Sequence, residues 1–221
     1  MFYTFEDKRH GLRYDPFKAC VTPRPIGWLS TLSTDGVVNL APYSFFNAVA
    51  DNPYMVMFSS NGREAYGPKD TLRNIEATGE FVYNVATWAL RNNMNRSSAA
   101  VQPEVDEMAL AGLTPVPSRI VKPPRVAESP IHLECVHHQT IDLPSNDPKA
   151  RNALCIGRVV GIHIADEVIT DGRVDMAKVK PIARLGYHDF TVVETVFEMP
   201  RPSAEEALAA ATPALRSVTS R

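Results

Sequence analysis

The run Thr22–Ser60, TPRPIGWLSTLSTDGVVNLAPYSFFNAVADNPYMVMFSS, decides the fold. Ile26–Ser33 is strand-like, and Ser33-Thr34-Asp35-Gly36 is a tight-turn signal ahead of the β-branched pair Val37 and Val38, so the two halves read as a hairpin. After Ala41-Pro42, Tyr43–Asn47 and Tyr54–Ser59 read as two further strands. The second is apolar enough to be buried on both faces.

Further along the chain TLRNIEATG places Leu72 and Ile75 three apart and stops at Gly79, which predicts a short helix with Asp70 as its N-cap. Phe81–Ala86 is another strand. WALRNNMNRSSAA and VDEMALAGL have helical propensity. Pro115, Pro117, Pro123, Pro124 and Pro130 make the stretch from Thr114 to Pro130 an extended connector. Two long strands follow, Ile131–Leu143 and Ala153–Ile164, with a last one over Thr191–Phe197. Residues 1–202 form the expected domain, and 203–221 read as a loose Ala/Ser/Thr-rich tail. Closely spaced strands with few helices predict a mainly β, barrel-like domain in place of an alternating parallel fold.

The 221 residues suffice for one large domain or two small ones, and 23 basic against 25 acidic side chains leave no field to condense on nucleic acid. Three widely spaced cysteines make neither a disulfide framework nor a CxxC pair, and no run approaches the 18 or so apolar residues of a membrane span. A reducing cytoplasm is the expected compartment.

Side-chain catalysis finds no obvious home. Gly62–Thr71 echoes a phosphate-binding P-loop, but Pro68 and Asp70 interrupt the Gly-Lys-Ser/Thr run. What remains is Lys69 and the Thr71 hydroxyl at a helix start with Arg63 nearby, which suits either a phosphate or an ordinary capped helix. His132, Glu134, Cys135, His137 and His138 alternate along one strand. Only His132 and Glu134 share a face closely enough to hold an ion, and packing is the default reading, so no metal is expected. GxGxxG after a strand and GxSxG are both missing, and Cys135 and Cys155 fall inside apolar strands, which suits inert thiols. Chemistry carried by a cofactor fits such a chain.

Thr22–Ser60, followed by KDTLRNI from Lys69, GEFVYNV from Gly79, Glu134-Cys135, GRVVGIHIADEVI from Gly157 and PIARLGYHDFTVV from Pro181, closely resembles the flavin reductase-like family of FMN-binding split barrels. The resemblance covers about Thr22 to Pro202. It implies a six-stranded antiparallel split barrel of Greek-key type with peripheral helices, a homodimer, and FMN near the subunit interface. It further implies that Ser30, Thr31, Leu32 and Ser33 border the flavin and that Ser44, Phe45 and Asn47 meet its ring or ribityl chain. Ser59, Ser60, Lys69 and Thr71 would meet its phosphate. Arg24 would contact phosphate or cap a strand. His163, Arg184, Tyr187 and His188 would edge a nicotinamide pocket or pack in a core or interface. The implied activity is hydride transfer from NADH or NADPH to flavin, with a monooxygenase or another acceptor of reduced flavin as partner. A flavoredoxin-like electron carrier and a flavin-free scaffold are the rival readings, and Ser44 with Asn47 also suits a satisfied loop pair.

Overall fold

The structure, a computed structural model, describes residues 1–7, 9–62 and 69–209. Arg63 lies outside them. Seven antiparallel strands pair in one sheet: β1 (Gly27–Leu32), β2 (Val38–Tyr43), β3 (Phe46–Asp51), β4 (Tyr54–Ser60), β5 (Glu80–Val85), β6 (Ile131–Leu143) and β7 (Asn152–Ile164). Their spatial order is β2-β1-β5-β6-β7-β4-β3. The two edge strands, β2 and β3, are consecutive in sequence and joined only by Ser44 and Phe45. At about 3.8 Å per residue the sheet must curl until its edges meet. The backbone bond from Ser59 N–H to Phe45 O (2.8 Å) fastens that corner.

The expected Tyr43–Asn47 strand is therefore corrected. The chain turns at Ser44 and Phe45, ending β2 and starting β3; the sheet counts seven strands where the resemblance implied six. The last strand is also shorter, Phe190–Val192, and pairs with Ile182–Arg184, which in turn pairs with Arg24–Pro25.

Burial follows the period of two. Gly27 to Thr31 are all buried, so β1 has a covered layer on each side. Leu29 joins Phe46, Phe58, Phe81, Cys135 and Cys155 inside the barrel, while Trp28 joins Leu40, Met94, Met108, Val126 and Ile182 outside it. The inner layer is closed by α1 (Asp70–Thr78) through Leu72 and Ile75, which share one helix face. The outer layer is covered by α2 (Arg91–Arg96) and α3 (Glu107–Leu110); Trp28 Nε1 donates to Ser97 Oγ just beyond α2 (2.9 Å). Gly79 ends α1 in the left-handed conformation (φ 77°), its N–H donating to Ile75 O. The N-cap is Lys69 and not Asp70, whose carboxylate instead pairs with Arg73 one turn on.

Gly27 is required by packing. A Cβ there would fall 2.6 Å from Phe46 Cγ, and Phe46 is stacked on Tyr83 at 4.6 Å, so neither ring has room to retreat. Gly27→Ala is expected to cost about 1–3 kcal/mol of stability, read as a lower midpoint in urea denaturation at unchanged slope.

Candidate functional site

Three cavities lie end to end along the outside of the β2 terminus. The first, of about 110 Å³, is bounded by Tyr43, Lys69, Asp70, Thr71, the Ser97–Val101 stretch and Glu107. Pro42 and Ser98 link it to a second, also about 110 Å³, which reaches Ser44 and Arg184. Met94, Asn95 and Phe190 link that to a third, of about 500 Å³, walled by Trp88, Arg91 and His188. The result is one groove: its first part sets Lys69 beside Asp70 and Glu107, and its far part carries Trp88 and Phe190 with Arg91 and His188.

The Lys69 end is held by a buried polar network. Asn39 is its hub: its Oδ1 accepts from Thr71 Oγ1 (2.7 Å) and Thr31 Oγ1 (3.2 Å), and its Nδ2 donates to both oxygens of Glu107 (3.1 Å each). Asn74 Nδ2 donates to Thr31 Oγ1 (3.1 Å), and Leu40 N–H donates to Glu107 (3.1 Å). Burial raises the Glu107 pKa, partly countered by those donors and reinforced by the nearby Asp70 charge. The network ties the first turns of α1 to the β1–β2 hairpin and to α3, so the helix start cannot drift from the corner at Ser44. At that helix start the Lys69 Nζ lies 5.6 Å from the centre of the Tyr43 ring.

Arg24 is a clasp and makes no contact with the Lys69 end. Its guanidinium donates to the carbonyls of Lys18, Val21 and Leu185 and lies 5.7 Å from the centre of the Phe45 ring. Burial, with the neighbouring Arg184, lowers its pKa. One residue thus joins the helix Phe17–Cys20, the closing ribbon and the Ser44 corner.

The anticipated residues separate into groups. Ser44, Phe45, Ser59 and Lys69 gather around the corner, with Thr71 directly behind. Ser59 Oγ donates to Asn61 Oδ1 (2.9 Å), Asn47 sits exposed on β3 with its Oδ1 accepting from Ala48 N–H (2.9 Å), and Ser60 is buried. Ser30 and Thr31 are fully buried: the Thr31 hydroxyl joins the Asn39 network and braces the groove from behind, while the Ser30 hydroxyl donates to Pro124 O (2.6 Å) in the proline-rich connector. Leu32 pairs with Val38 and Gly27 with Tyr43, which puts Leu32 and Ser33 at the far end of the hairpin, about 17 Å along the strand from Tyr43. Ser33 Oγ there accepts the Asp35 and Val37 N–H groups of the turn. Arg184 and His188 line the groove. Tyr187 packs instead against Tyr14, ring centres 5.6 Å apart.

His163 belongs elsewhere, with Glu134. That fully buried carboxylate accepts the N–H groups of Arg119 (2.8 Å), Ile120 (2.6 Å) and Val121 (3.0 Å) together with His163 Nε2 (2.5 Å). Burial pushes its pKa up, but the four donors more than offset this and hold it at about 2. His132 beside it, its Nε2 on Val126 O (2.8 Å), is pushed down to about 4, mainly by burial. The pair anticipated as possible ion ligands thus pins the proline-rich connector to the barrel. Cys135 and Cys155 are buried thiols with pKa values raised mainly by burial, which suppresses the nucleophilic thiolate.

Residues the sequence did not single out include Asn39, Asn74, Glu107, Trp88 and Arg91. Trp88 and Arg91 lie in a segment read only for its helical propensity, and an i, i+3 pair is no signal until a cavity faces it.

The chain belongs to the flavin reductase-like family: the family model described as "Flavin reductase like domain" matches residues 19–192. An uncharacterised protein of Halalkalibacterium halodurans is 37% identical over 186 residues, 84% of this chain and 89% of that one. Among solved structures, nitrilotriacetate monooxygenase component B of Bacillus cereus superposes with a TM-score of 0.82 at 33% identity, over 90% of this chain and 98% of the other. Flavoredoxin of Desulfovibrio vulgaris shares the fold, with a TM-score of 0.71 at 22% identity over 90% and 99% of the two chains. The fold is the split barrel of that family. No helix among the described residues is long and apolar enough to cross a membrane.

Since the Glu134 pKa falls from 4.5 to about 2 on folding, its contribution is complete above pH 4.5 and disappears as pH drops through 2. Glu134→Gln should lose about 3 kcal/mol at pH 7, with the penalty shrinking as pH approaches 2; urea titrations at several pH values check both.

Proposed function

We propose that the protein is an FMN-dependent oxidoreductase that passes hydride from NADH or NADPH to flavin. The observation that carries this reading is the continuous groove, which offers an anion site at one end and ring-sized space at the other. The donors at the Lys69 end suit the phosphate of FMN: a lysine and the backbone N–H groups at the start of α1. The acidic neighbours do not spoil the fit, because Asp70 is paired with Arg73 and Glu107 is turned onto Asn39 and Leu40.

When bound, FMN supplies the hydride-accepting ring, and the protein's part is placement. Lys69 and the first turn of α1 hold the phosphate, with Ser59 at the edge of that end. Ser44 and Phe45, fixed by the Ser59–Phe45 backbone bond and by Arg24, seat the ring side, with Asn47 on the same corner. Thr71 and Thr31 act from behind. Arg184 and His188 edge the space for the nicotinamide. Exposed apolar side chains at both ends of the β6–β7 hairpin, Ile141 and Leu143 at one and Ile162 and Ile164 at the other, favour a homodimer, and a monooxygenase is the natural consumer of reduced flavin.

Anaerobic mixing of the protein with FMN and NADH or NADPH should bleach the visible flavin band faster than the same mixture without protein; an unchanged rate rejects direct nicotinamide use and leaves a flavoredoxin-like carrier. Lys69→Ala should weaken FMN about tenfold while leaving riboflavin, which lacks the phosphate, unaffected. Fluorescence titration of both flavins reads the difference.

A further inference from the structure

Beyond Ser44 the groove opens into the third cavity, about 500 Å³, between α2 with its preceding turn and the strand Phe190–Val192. That is the size of a small-molecule pocket, typically about 300–1,000 Å³. This cavity and the one that joins it to Ser44 repeat one device, a cation stacked on a ring. Arg91 Cζ lies 4.0 Å from the Trp88 ring centre, and Arg184 Cζ lies 4.5 Å from the Phe190 ring centre.

Both rings are substantially exposed, Trp88 by 46% and Phe190 by 37%. Each guanidinium is held by its own turn: Arg91 Nη1 donates to Trp88 O (2.7 Å) and Arg184 Nη2 to Tyr187 O, which uses one donor of each fork. Among the described residues lining this cavity and the one that joins it to Ser44 there are two arginines and a histidine but no aspartate or glutamate. A flat ring entering here covers aromatic surface, and a negative charge on it meets pre-oriented cations with no acid to oppose it.

We propose that this cleft binds a planar aromatic ligand carrying an anionic group, either a nucleotide or a small aromatic acid, with Trp88 and Phe190 as its stacking faces and Arg91 as its anion contact. The inference deepens the reading of the cleft as the nicotinamide side of the site. It rests on that reading for the ligand's role, and on the cleft alone for its binding.

Calorimetric titration of the full-length protein with two matched pairs, AMP against adenosine and benzoate against benzamide, tests it, with FMN titrated in parallel. At least one anion should bind about tenfold more tightly than its neutral counterpart, and both Arg91→Met and Trp88→Leu should weaken that anion to the level of the neutral compound. Discrimination in the AMP pair assigns a nucleotide; discrimination only in the benzoate pair assigns an aromatic acid. Equal binding within both pairs, or discrimination that survives in Arg91→Met, overturns the proposal. If FMN binds and the anions are not discriminated, the cleft assignment alone fails; if the anions are discriminated and FMN does not bind, the flavin reading fails and the cleft assignment stands.

Discussion

Two residues, Ser44 and Phe45, connect strands that sit at opposite edges of a seven-stranded sheet, and this short tether constrains everything around it. A flat sheet of that width would separate its edges by some 28 Å at about 4.7 Å per strand step, far beyond what two residues span. The sheet has to close, and where it closes the regular ladder stops. Of the two residues released from pairing at that corner, Ser44 lines the groove. The candidate site lies beside that closure, where Phe45 is held by the Ser59 N–H and lies 5.7 Å from the Arg24 guanidinium.

The polar interior behind the corner performs a related task. Asn39, Thr31, Thr71, Asn74 and Glu107 come from four elements, and their mutual bonds fix the start of α1 relative to β2. A hydrophobic contact would hold α1 against the barrel, as Leu72 and Ile75 do, but would tolerate sliding. Hydrogen bonds with defined partners do not. Glu134 plays the same part for the connector from Thr114 to Pro130, whose N–H groups at Arg119, Ile120 and Val121 need an acceptor. In this molecule, hydroxyls and carboxylates that look functional in one dimension are often structural in three.

Much of the architecture was legible beforehand. Alternation and turn chemistry located the first hairpin, and the Ile131–Leu143 strand was found with its observed ends. The helix stop at Gly79 was legible because only a left-handed residue fits there. The split at Ser44 was not, since nothing in YSFFN marks a turn; the break comes from closure, a property of the whole sheet. For the site, Lys69 was legible as a cation at a helix start, and the corner residues came from resemblance. Leu32 and Ser33, expected beside the flavin, lie at the other end of their hairpin, because adjacency in sequence along a strand is distance in space.

Local chemistry along the chain, then, determined which segments become strands, where they turn, and which family the chain resembles, because propensity, periodicity and turn residues act over a few neighbouring positions. The tertiary structure alone decided which polar groups remain available to a ligand. Thr71 and Ser30 are spent on internal partners, while Trp88 and Arg91, unremarkable in sequence, face a cavity. Whether a hydroxyl or a guanidinium meets solvent depends on what other segments bring to it, and that is a matter of long-range packing.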